Sequence, residues 1–318
     1  MARIDFSVVV ACYFEEKSID EFHERVSKTL EATGRSYELI FTNDGSTDDT
    51  WSKLKAIYES DPAVFLVQSL YRNYGQLAAM LAGYREARGK HVVFLDSDLQ
   101  LDPEDFPKLL EEFDKDMDLV TGYREHRKDS VFRTVPSLLA NRLMRKVSGK
   151  KLRDFGCTFK IIRGDLLRAF EAGPFRPWSM VRVISHATRI AEVPIKHHAR
   201  KYGSSGWTFS KLFKMFMDNL VQLTQRPFQF LGLVCLLIAS IFTVRVLLAW
   251  TFPGAKVLSE VTPGLILNAI VIGGLIIVGI LSLIGEFVIR SFGVLAQDPI
   301  YIVREKLIRS EADVGGSE

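Results

Sequence analysis

Cysteine is scarce in this chain: Cys12, Cys157 and Cys235 are the three present, far apart in 318 residues. Their separation fits neither a disulfide framework nor a zinc spacing, so each reads as a small buried residue. An excess of charge of one sign is also missing, with 41 Lys and Arg against 38 Asp and Glu and a net charge of +3. That balance gives no reason to expect nucleic acid as a partner. No G-x-G-x-x-G follows the first apolar run, which argues against a dinucleotide site, and no G-x-x-x-x-G-K-[ST] exists, which excludes a P-loop. Met1-Ala2-Arg3-Ile4-Asp5 leads directly into a predicted strand and lacks the pattern of a signal peptide.

Long apolar runs, by contrast, are present. One extends from Phe228 to Trp250, interrupted only by Arg245, and another from Leu265 to Ile289, with Glu286 near its end. Both exceed the roughly 20 residues needed to cross a bilayer, and a short Pro/Gly loop joins them, so they predict a membrane hairpin. Arg245 and Glu286 lie toward segment ends, where long side chains snorkel or pair. Lys201, Lys211, Lys214 and Arg226 precede the first run, and Arg290, Arg304 and Lys306 close the second, whereas the connecting loop carries only Lys256 beside Glu260. The positive-inside rule then puts both termini in the cytoplasm. Between Thr208 and Leu223, apolar Phe209, Leu212, Phe213, Phe216, Leu220 and Leu223 recur at helical spacing. Such a helix lies along the headgroups or docks on the soluble core; both readings fit. The expected division is a catalytic domain over 1–205, an interfacial helix over 206–227, two spans within 228–290 (228–250 and 265–289), and a cytoplasmic tail over 291–318.

The first 125 residues alternate between β-rich and helical patterns. Strands are predicted at Phe6–Ala11, Tyr37–Thr42, Val64–Val67, His91–Leu95 and Asp118–Gly122. Helices are predicted from a Ser18/Glu21 capping box to about Thr33, over 47–60, over 76–88, and after Asp102 with Pro103 in the first turn. This alternation implies an α/β fold with a mostly parallel sheet covered on both faces, and such sheets bind ligands beyond the carboxyl ends of their strands. Asn43/Asp44, Arg72/Asn73, Asp96/Asp98 and Tyr123/Arg124 all follow predicted strand ends and so share one rim. Phe94-Leu95-Asp96-Ser97-Asp98-Leu99-Gln100 is the sharpest of these: an apolar strand that ends in two carboxylates two residues apart. Side chains at that spacing face the same way, so both can converge on one hard cation, with the Gln100 amide nearby. An all-oxygen set suits Mg²⁺ or Mn²⁺, ions that bridge to nucleotide phosphates.

The first turn reads Cys12-Tyr13-Phe14-Glu15-Glu16 and offers an aromatic face and carboxylates, which suit a base and ribose better than phosphates. Val8–Glu16, Asn43-Asp44-Gly45-Ser46-Thr47-Asp48, Arg72-Asn73-Tyr74-Gly75-Gln76 and Asp96–Gln100 resemble, in order, the motifs of family 2 glycosyltransferases of the GT-A fold. The similarity is greatest to the polyprenyl-phosphate branch: dolichol-phosphate mannose synthase, the bactoprenol glucosyltransferases and the undecaprenyl-phosphate aminoarabinose transferase. Asp154-Phe155-Gly156-Cys157 and Val193–Arg200 favour the last of these. Gly285-Glu286-Phe287-Val288 and Pro299-Ile300-Tyr301-Ile302-Val303 resemble the hairpin end and tail of bacterial members. There are departures: Asn43 stands where many members carry Asp, Val288–Gly293 replaces the usual Gly-Arg-(aromatic)-x-Glu, and Gly203-Ser204-Ser205-Gly206-Trp207 replaces Gly-Glu-Ser-Lys-Tyr.

The resemblance implies inverting transfer of a sugar from a nucleotide-sugar, UDP-linked, to a membrane polyprenyl phosphate, with Mg²⁺ or Mn²⁺. It assigns Ala11, Tyr13, Glu15, Asn43, Asp44, Arg72, Asp96 and Ser97 to the donor, and Asp98 and Gln100, with Asp96, to the metal. Arg124, Arg133, Ser137 and Arg200 fall at acceptor-phosphate positions, and Asp154 near the sugar or acceptor. Several of these have plainer readings: surface arginines around a predicted amphipathic helix over 130–147, a turn cap at Asp154, core packing for Tyr13. Bacterial relatives suggest a tetramer. Two rival functions follow from the same residues. A processive polysaccharide synthase would need a Q-x-x-R-W motif and further spans, neither of which is in the sequence. A nucleotide-sugar sensor without turnover would not need acceptor arginines.

Overall fold

The computed structural model describes residues 4–124, 144–145, 148–170, 180–198 and 299–310, with scattered helical residues between 269 and 291. Eight strands form one sheet: β1 Phe6–Cys12, β2 Tyr37–Asn43, β3 Val64–Leu70, β4 His91–Asp96, β5 Leu119–Arg124, β6 Lys160–Arg163, β7 Ile190–Ile195 and β8 Val303–Ile308. Their order is β7-β5-β6-β4-β1-β2-β3-β8. Strands β1 to β4 pair in parallel, in the sequence β4-β1-β2-β3. Strand β6 runs antiparallel between β4 and β5, so β5 points the same way as β4. The carboxyl ends of β1, β2, β3, β4 and β5 therefore open on one edge.

The central strands are almost wholly apolar because both sheet faces are covered. Val8, Val9, Val10, Leu39, Ile40, Phe41, Val93 and Phe94 are all buried. On one face lie α1 (Ile19–Glu31), α2 (Thr50–Ser60) and α4 (Phe106–Phe113), with Phe22, Val26, Leu30, Leu54, Leu109 and Phe113 in a single cluster with β1 and β4. Helix α3 (Gln76–Tyr84) covers the other face with small residues. At Gly83 an added Cβ would sit 2.8 Å from Val9 Cγ1, so the helix approaches the sheet as closely as backbone allows. Two short helices follow, α5 (Gly164–Arg168) and α6 (Met180–His186).

Several local expectations are corrected. Ser18 forms no capping box: its hydroxyl donates to the Glu15 carboxylate instead, and α1 starts without a side-chain cap. Helix α2 begins at Thr50 rather than Thr47, since the Asp48 carboxylate captures the Thr50 N–H and hydroxyl in a turn. Helix α3 stops at Tyr84, four residues early. Asp102 is drawn away from the helix start by Arg25, at 2.7 Å, and His198, at 2.9 Å, and a 3₁₀ turn over Pro103–Asp105 precedes α4.

Strand β8 comes from far along the chain and completes the edge beside β3. Its anchors are side chains as well as the ladder. Arg309 donates to the carbonyls of Val64 at 3.0 Å and Asp61 at 3.1 Å, Trp51 Nε1 donates to Glu305 at 2.9 Å, and Lys306 pairs with Glu86 at 2.8 Å. The Tyr71 N–H also donates to the Ile302 carbonyl, which ties this strand's approach to the loop after β3.

A separate compact unit is formed by Leu220–Asp298. Among the described residues no helix is long and apolar enough to cross a membrane. The helical residues described between 269 and 291 expose Ile270, Ile277, Leu281, Ile284, Phe287 and Val288. The first predicted span (228–250) and the interfacial helix (206–227) lie outside the described residues, as does Cys235.

Candidate active site

Four strand ends build the rim, and each places its polar residues by local backbone chemistry. After β1 the chain turns at Phe14, whose φ of 58° leaves Tyr13 and Phe14 stacked edge-to-face, ring centroids 4.5 Å apart. Tyr13 is 44 % exposed, so its ring faces outward and is accessible for stacking, not packed in the core. The Glu15 N–H donates to Thr50 Oγ1 at 2.9 Å, fixing the turn on α2.

After β2, Asn43 is fully buried; its amide donates to Ser69 at 3.0 Å and its carbonyl accepts the Ser46 N–H at 3.1 Å. Asp44 is also buried and accepts two backbone N–H groups, from Tyr74 at 2.7 Å and Gly75 at 2.9 Å. Burial pushes its pKa up, and those two donors oppose the shift. Gly45 is required here: its φ is +68°, and a Cβ would lie 2.3 Å from the Arg72 backbone. The loops after β2 and β3 are thus locked together, and Arg72 lies exposed with its guanidinium 4.8 Å from the Tyr74 ring centroid.

At the end of β4, Asp96 Oδ1 accepts from the Gln76 amide at 2.5 Å and Oδ2 from Thr158 Oγ1 at 2.6 Å. Burial, then the nearby Asp98 charge, raise the Asp96 pKa to about 6. Ser97 is buried and donates to the Ala11 carbonyl at 3.3 Å, which couples β1 to this turn. Asp98 Oδ1 accepts the Gln100 N–H at 3.1 Å, and Leu99 between them takes a left-handed φ of 57°. Gln100 is further held by the segment after β7: its carbonyl accepts the His198 N–H at 2.9 Å.

Among the described residues no three His, Cys, Asp or Glu side chains gather into a metal cage. Two carboxylates repelling one another at a strand end are nonetheless the donor set a hard dication stabilises. Both Asp96 oxygens and Asp98 Oδ1 already accept hydrogen bonds, so side chains alone would not fill a cation's shell, and an ion here would take further oxygens from phosphates and water.

At the end of β5, Arg124 grips Asp154 through both arms of its guanidinium, Nε to Oδ2 at 2.7 Å and Nη2 to Oδ1 at 3.0 Å. Asp154 is buried and also accepts the Gly156 N–H at 3.1 Å, so the turn-cap reading holds alongside the ion pair. Arg133, Ser137 and Arg200 lie outside the described residues. Cys12 and Cys157 are buried, and burial raises both thiols, Cys157 to about 11, so neither is nucleophilic.

Sequence reasoning missed four supports. Gln76 and Thr158 hold Asp96, and Glu192 on β7 accepts the N–H groups of Arg153 at 2.7 Å and Asp154 at 3.2 Å, fixing the turn that carries Asp154. The fourth is Lys160, a cation 2 % exposed at the start of β6. The one available signal was the charge itself, set in the apolar run Cys-Thr-Phe-Lys-Ile-Ile.

The model of glycosyl transferase family 2 matches residues 7–170. Dodecaprenyl-phosphate galacturonate synthase of Rhizobium johnstonii is 35 % identical over 240 residues, covering 72 % of this chain and 71 % of that protein. Undecaprenyl-phosphate 4-deoxy-4-formamido-L-arabinose transferase of Klebsiella pneumoniae is 30 % identical over 96 % of this chain and 94 % of its own length. Among solved structures, glucosyl-3-phosphoglycerate synthase of Mycobacterium tuberculosis, in complex with Mn²⁺, UDP and phosphoglyceric acid, superposes with a TM-score of 0.53. It is 20 % identical, covering 69 % of this chain and 78 % of that one, and carries the same GT-A fold. The strand order, the carboxylate turn at Asp96–Asp98 and these similarities agree: the chain is an enzyme of glycosyl transferase family 2.

Proposed function

We propose that this glycosyltransferase moves a sugar from a UDP-sugar to the phosphate of a membrane polyprenol, with inversion at the anomeric carbon. What carries the reading is the similarity, over 96 % of the chain, to a transferase whose acceptor is undecaprenyl phosphate. The rim supports it, with a carboxylate end at Asp96 and Asp98 and an arginine end at Arg124.

In the reaction a lipid phosphate oxygen forms the new bond to the anomeric carbon. The bond from that carbon to the β-phosphate oxygen breaks, and UDP leaves with the electron pair. A phosphate monoester is already largely ionised at neutral pH, its second pKa being about 6, so no strong general base is needed. What the chain supplies is position and charge. Tyr13 stacks on the base, Glu15 and Asp44 hold the nucleoside end, and Ser97 and Ala11 shape the floor. Asp96 orders the donor through its Gln76 and Thr158 partners. Asp98, with Gln100 and Asp96, would hold Mg²⁺ or Mn²⁺, which would supply positive charge to the departing diphosphate. Arg124, oriented by Asp154, faces the acceptor phosphate together with Arg133, Ser137 and Arg200.

A polyprenyl tail stays in the bilayer, since each buried CH₂ is worth about 0.8 kcal/mol. In this reading the catalytic domain (1–205) is held at the cytoplasmic leaflet of a bacterial inner membrane by the interfacial helix (206–227) and two spans within 228–290 (228–250 and 265–289), with a cytoplasmic tail over 291–318. The apolar side chains exposed between 269 and 291 support a lipid-facing second span. Gly273, Gly274 and Gly279 leave open space where a Cβ would be, which suits close helix packing in a homo-oligomer, a tetramer. Mass measurement in mild detergent tests that assembly, and monomers alone would refute it. The function is tested by incubating membranes that contain the enzyme with a panel of UDP- and GDP-sugars and undecaprenyl phosphate, then identifying the glycolipid by mass. A lipid-linked monosaccharide phosphodiester supports the reading; a polymer, or donor binding without product, contradicts it.

A further inference from the structure

Lys160 is a buried cation with no ion-pair partner among the described residues. It is 2 % exposed, and among the described residues its ammonium makes no hydrogen bond and has no carboxylate within 4.0 Å. Burial lowers its pKa; the more distant charges of Asp154 and Asp96 work in the opposite direction, and Arg124 adds to the lowering. The two carboxylates are otherwise engaged. Asp154 is gripped by the Arg124 fork, and both Asp96 oxygens accept hydrogen bonds from Gln76 and Thr158. A charge kept in such a place without a partner is costly to the folded chain. A neutral side chain of similar length, methionine, would fill the same volume without that cost.

The register locates the charge. Lys160 lies opposite Phe94 on β4, two residues before Asp96, and opposite Thr121 on β5, three residues before Arg124. Thr158, two residues earlier, faces the same side and touches Asp96. The side chain is therefore on the same sheet face as Asp96, within electrostatic reach of Asp154 and Arg124. Phosphates approach from beyond the strand ends, where Asp98 and the rim arginines are. With the phosphates held there, a donor group reaching back along the sheet to Lys160 would belong to the sugar.

We propose that Lys160 binds a carboxylate on the transferred sugar, so that the donor is a nucleotide-linked hexuronate. The inference rests on the transfer reading above and specifies its substrate class. A carboxylate supplies the charge-assisted partner that the buried ammonium lacks, whereas a hydroxymethyl group supplies at most one neutral hydrogen bond.

The test compares UDP-galacturonate with UDP-galactose, and UDP-glucuronate with UDP-glucose, each pair differing only at C6. The full chain in mild detergent is assayed with undecaprenyl phosphate for kcat/KM, and with Mn²⁺ alone for donor Kd by titration calorimetry. The wild type is expected to favour one uronate over its hexose partner at least 50-fold. Lys160→Met is expected to cut that ratio at least 20-fold, with affinity for UDP itself serving as the check on folding, and Lys160→Arg to retain most of the preference. Equal or better use of the neutral hexoses by the wild type overturns the inference and leaves the transfer reading intact. Equal losses on both donors in Lys160→Met also overturn it, since a mere internal counter-charge behaves that way. Selective uronate binding with no lipid-linked product from any donor would retain the carboxylate site and refute the transfer reading instead.

Discussion

The Arg124–Asp154 pair gives the sharpest energetic prediction, because its geometry fixes the expected size. The Asp154 side chain is 6 % exposed and that of Arg124 20 %, and two hydrogen bonds of 2.7 and 3.0 Å join them. Removing one member of a buried ion pair costs about 3–5 kcal/mol, and the partial exposure of Arg124 points to the lower end, about 3 kcal/mol for Arg124→Met. Asp154→Asn keeps an acceptor for the Gly156 N–H and leaves a guanidinium able to turn to water, so about 1–2 kcal/mol is expected. In the double variant no charge remains buried without its partner, and the loss should be about 2 kcal/mol, well short of the sum. The coupling of roughly 2–3 kcal/mol is the quantity to measure. Native-state hydrogen exchange at Val120 and Ile161, both in the sheet, reports it without interference from the unit at 220–298. Additive losses would refute the claim that Arg124 and Asp154 act as one device, and with it the orienting role given to Asp154.

Three more outcomes follow from the site. Asp98→Asn should abolish Mg²⁺- or Mn²⁺-dependent transfer and weaken Mn²⁺ binding at least tenfold while leaving the melting temperature within a few degrees; undiminished activity would remove Asp98 from the metal site. Asp96 carries a raised pKa of about 6, so the folded chain holds its proton more tightly than the unfolded chain does. Its contribution to stability therefore grows as pH falls from 7 through about 6 and levels off below the ordinary carboxylate range. Metal-free wild type should gain stability over that window relative to Asp96→Asn, and parallel pH profiles would show that Asp96 titrates normally. Gly45→Ala puts a Cβ against the Arg72 backbone at a left-handed φ, so it should raise the KM for the donor severalfold, and an unchanged KM would separate that loop from the nucleotide site.

Most of the sheet could be read from the sequence because its signals are local. Val8–Val10, Leu39–Phe41 and Val92–Leu95 are apolar runs short enough to be strands, separated by helical periods, and the rim follows from parallel topology once those strands exist. The carboxylate turn was legible because two aspartates interrupt an apolar run. What escaped depends on partners distant in sequence. Ser18 has the form of a cap, but Glu15 reaches its hydroxyl first; Asp102 does too, but Arg25 and His198 claim it. Val303–Ile308, with Arg304, Glu305 and Lys306 at its centre, reads as a charged tail, and only the open edge of β3 and the anchors at Arg309 and Glu305 make it a strand. Lys160 and Thr158 gain meaning only through the antiparallel insertion of β6 between β4 and β5, a crossover that no spacing in the sequence announces.

The central claim is that the nucleophile is a lipid-borne phosphate rather than a hydroxyl. It is tested most directly by offering the purified enzyme, Mn²⁺ and the preferred UDP-sugar either undecaprenyl phosphate or undecaprenol, and resolving the products by mass. Sugar attached to the phosphate lipid alone, at a rate at least a thousandfold above that for the alcohol, is the predicted result. Comparable transfer to undecaprenol, or transfer to water alone with both lipids present, would contradict it.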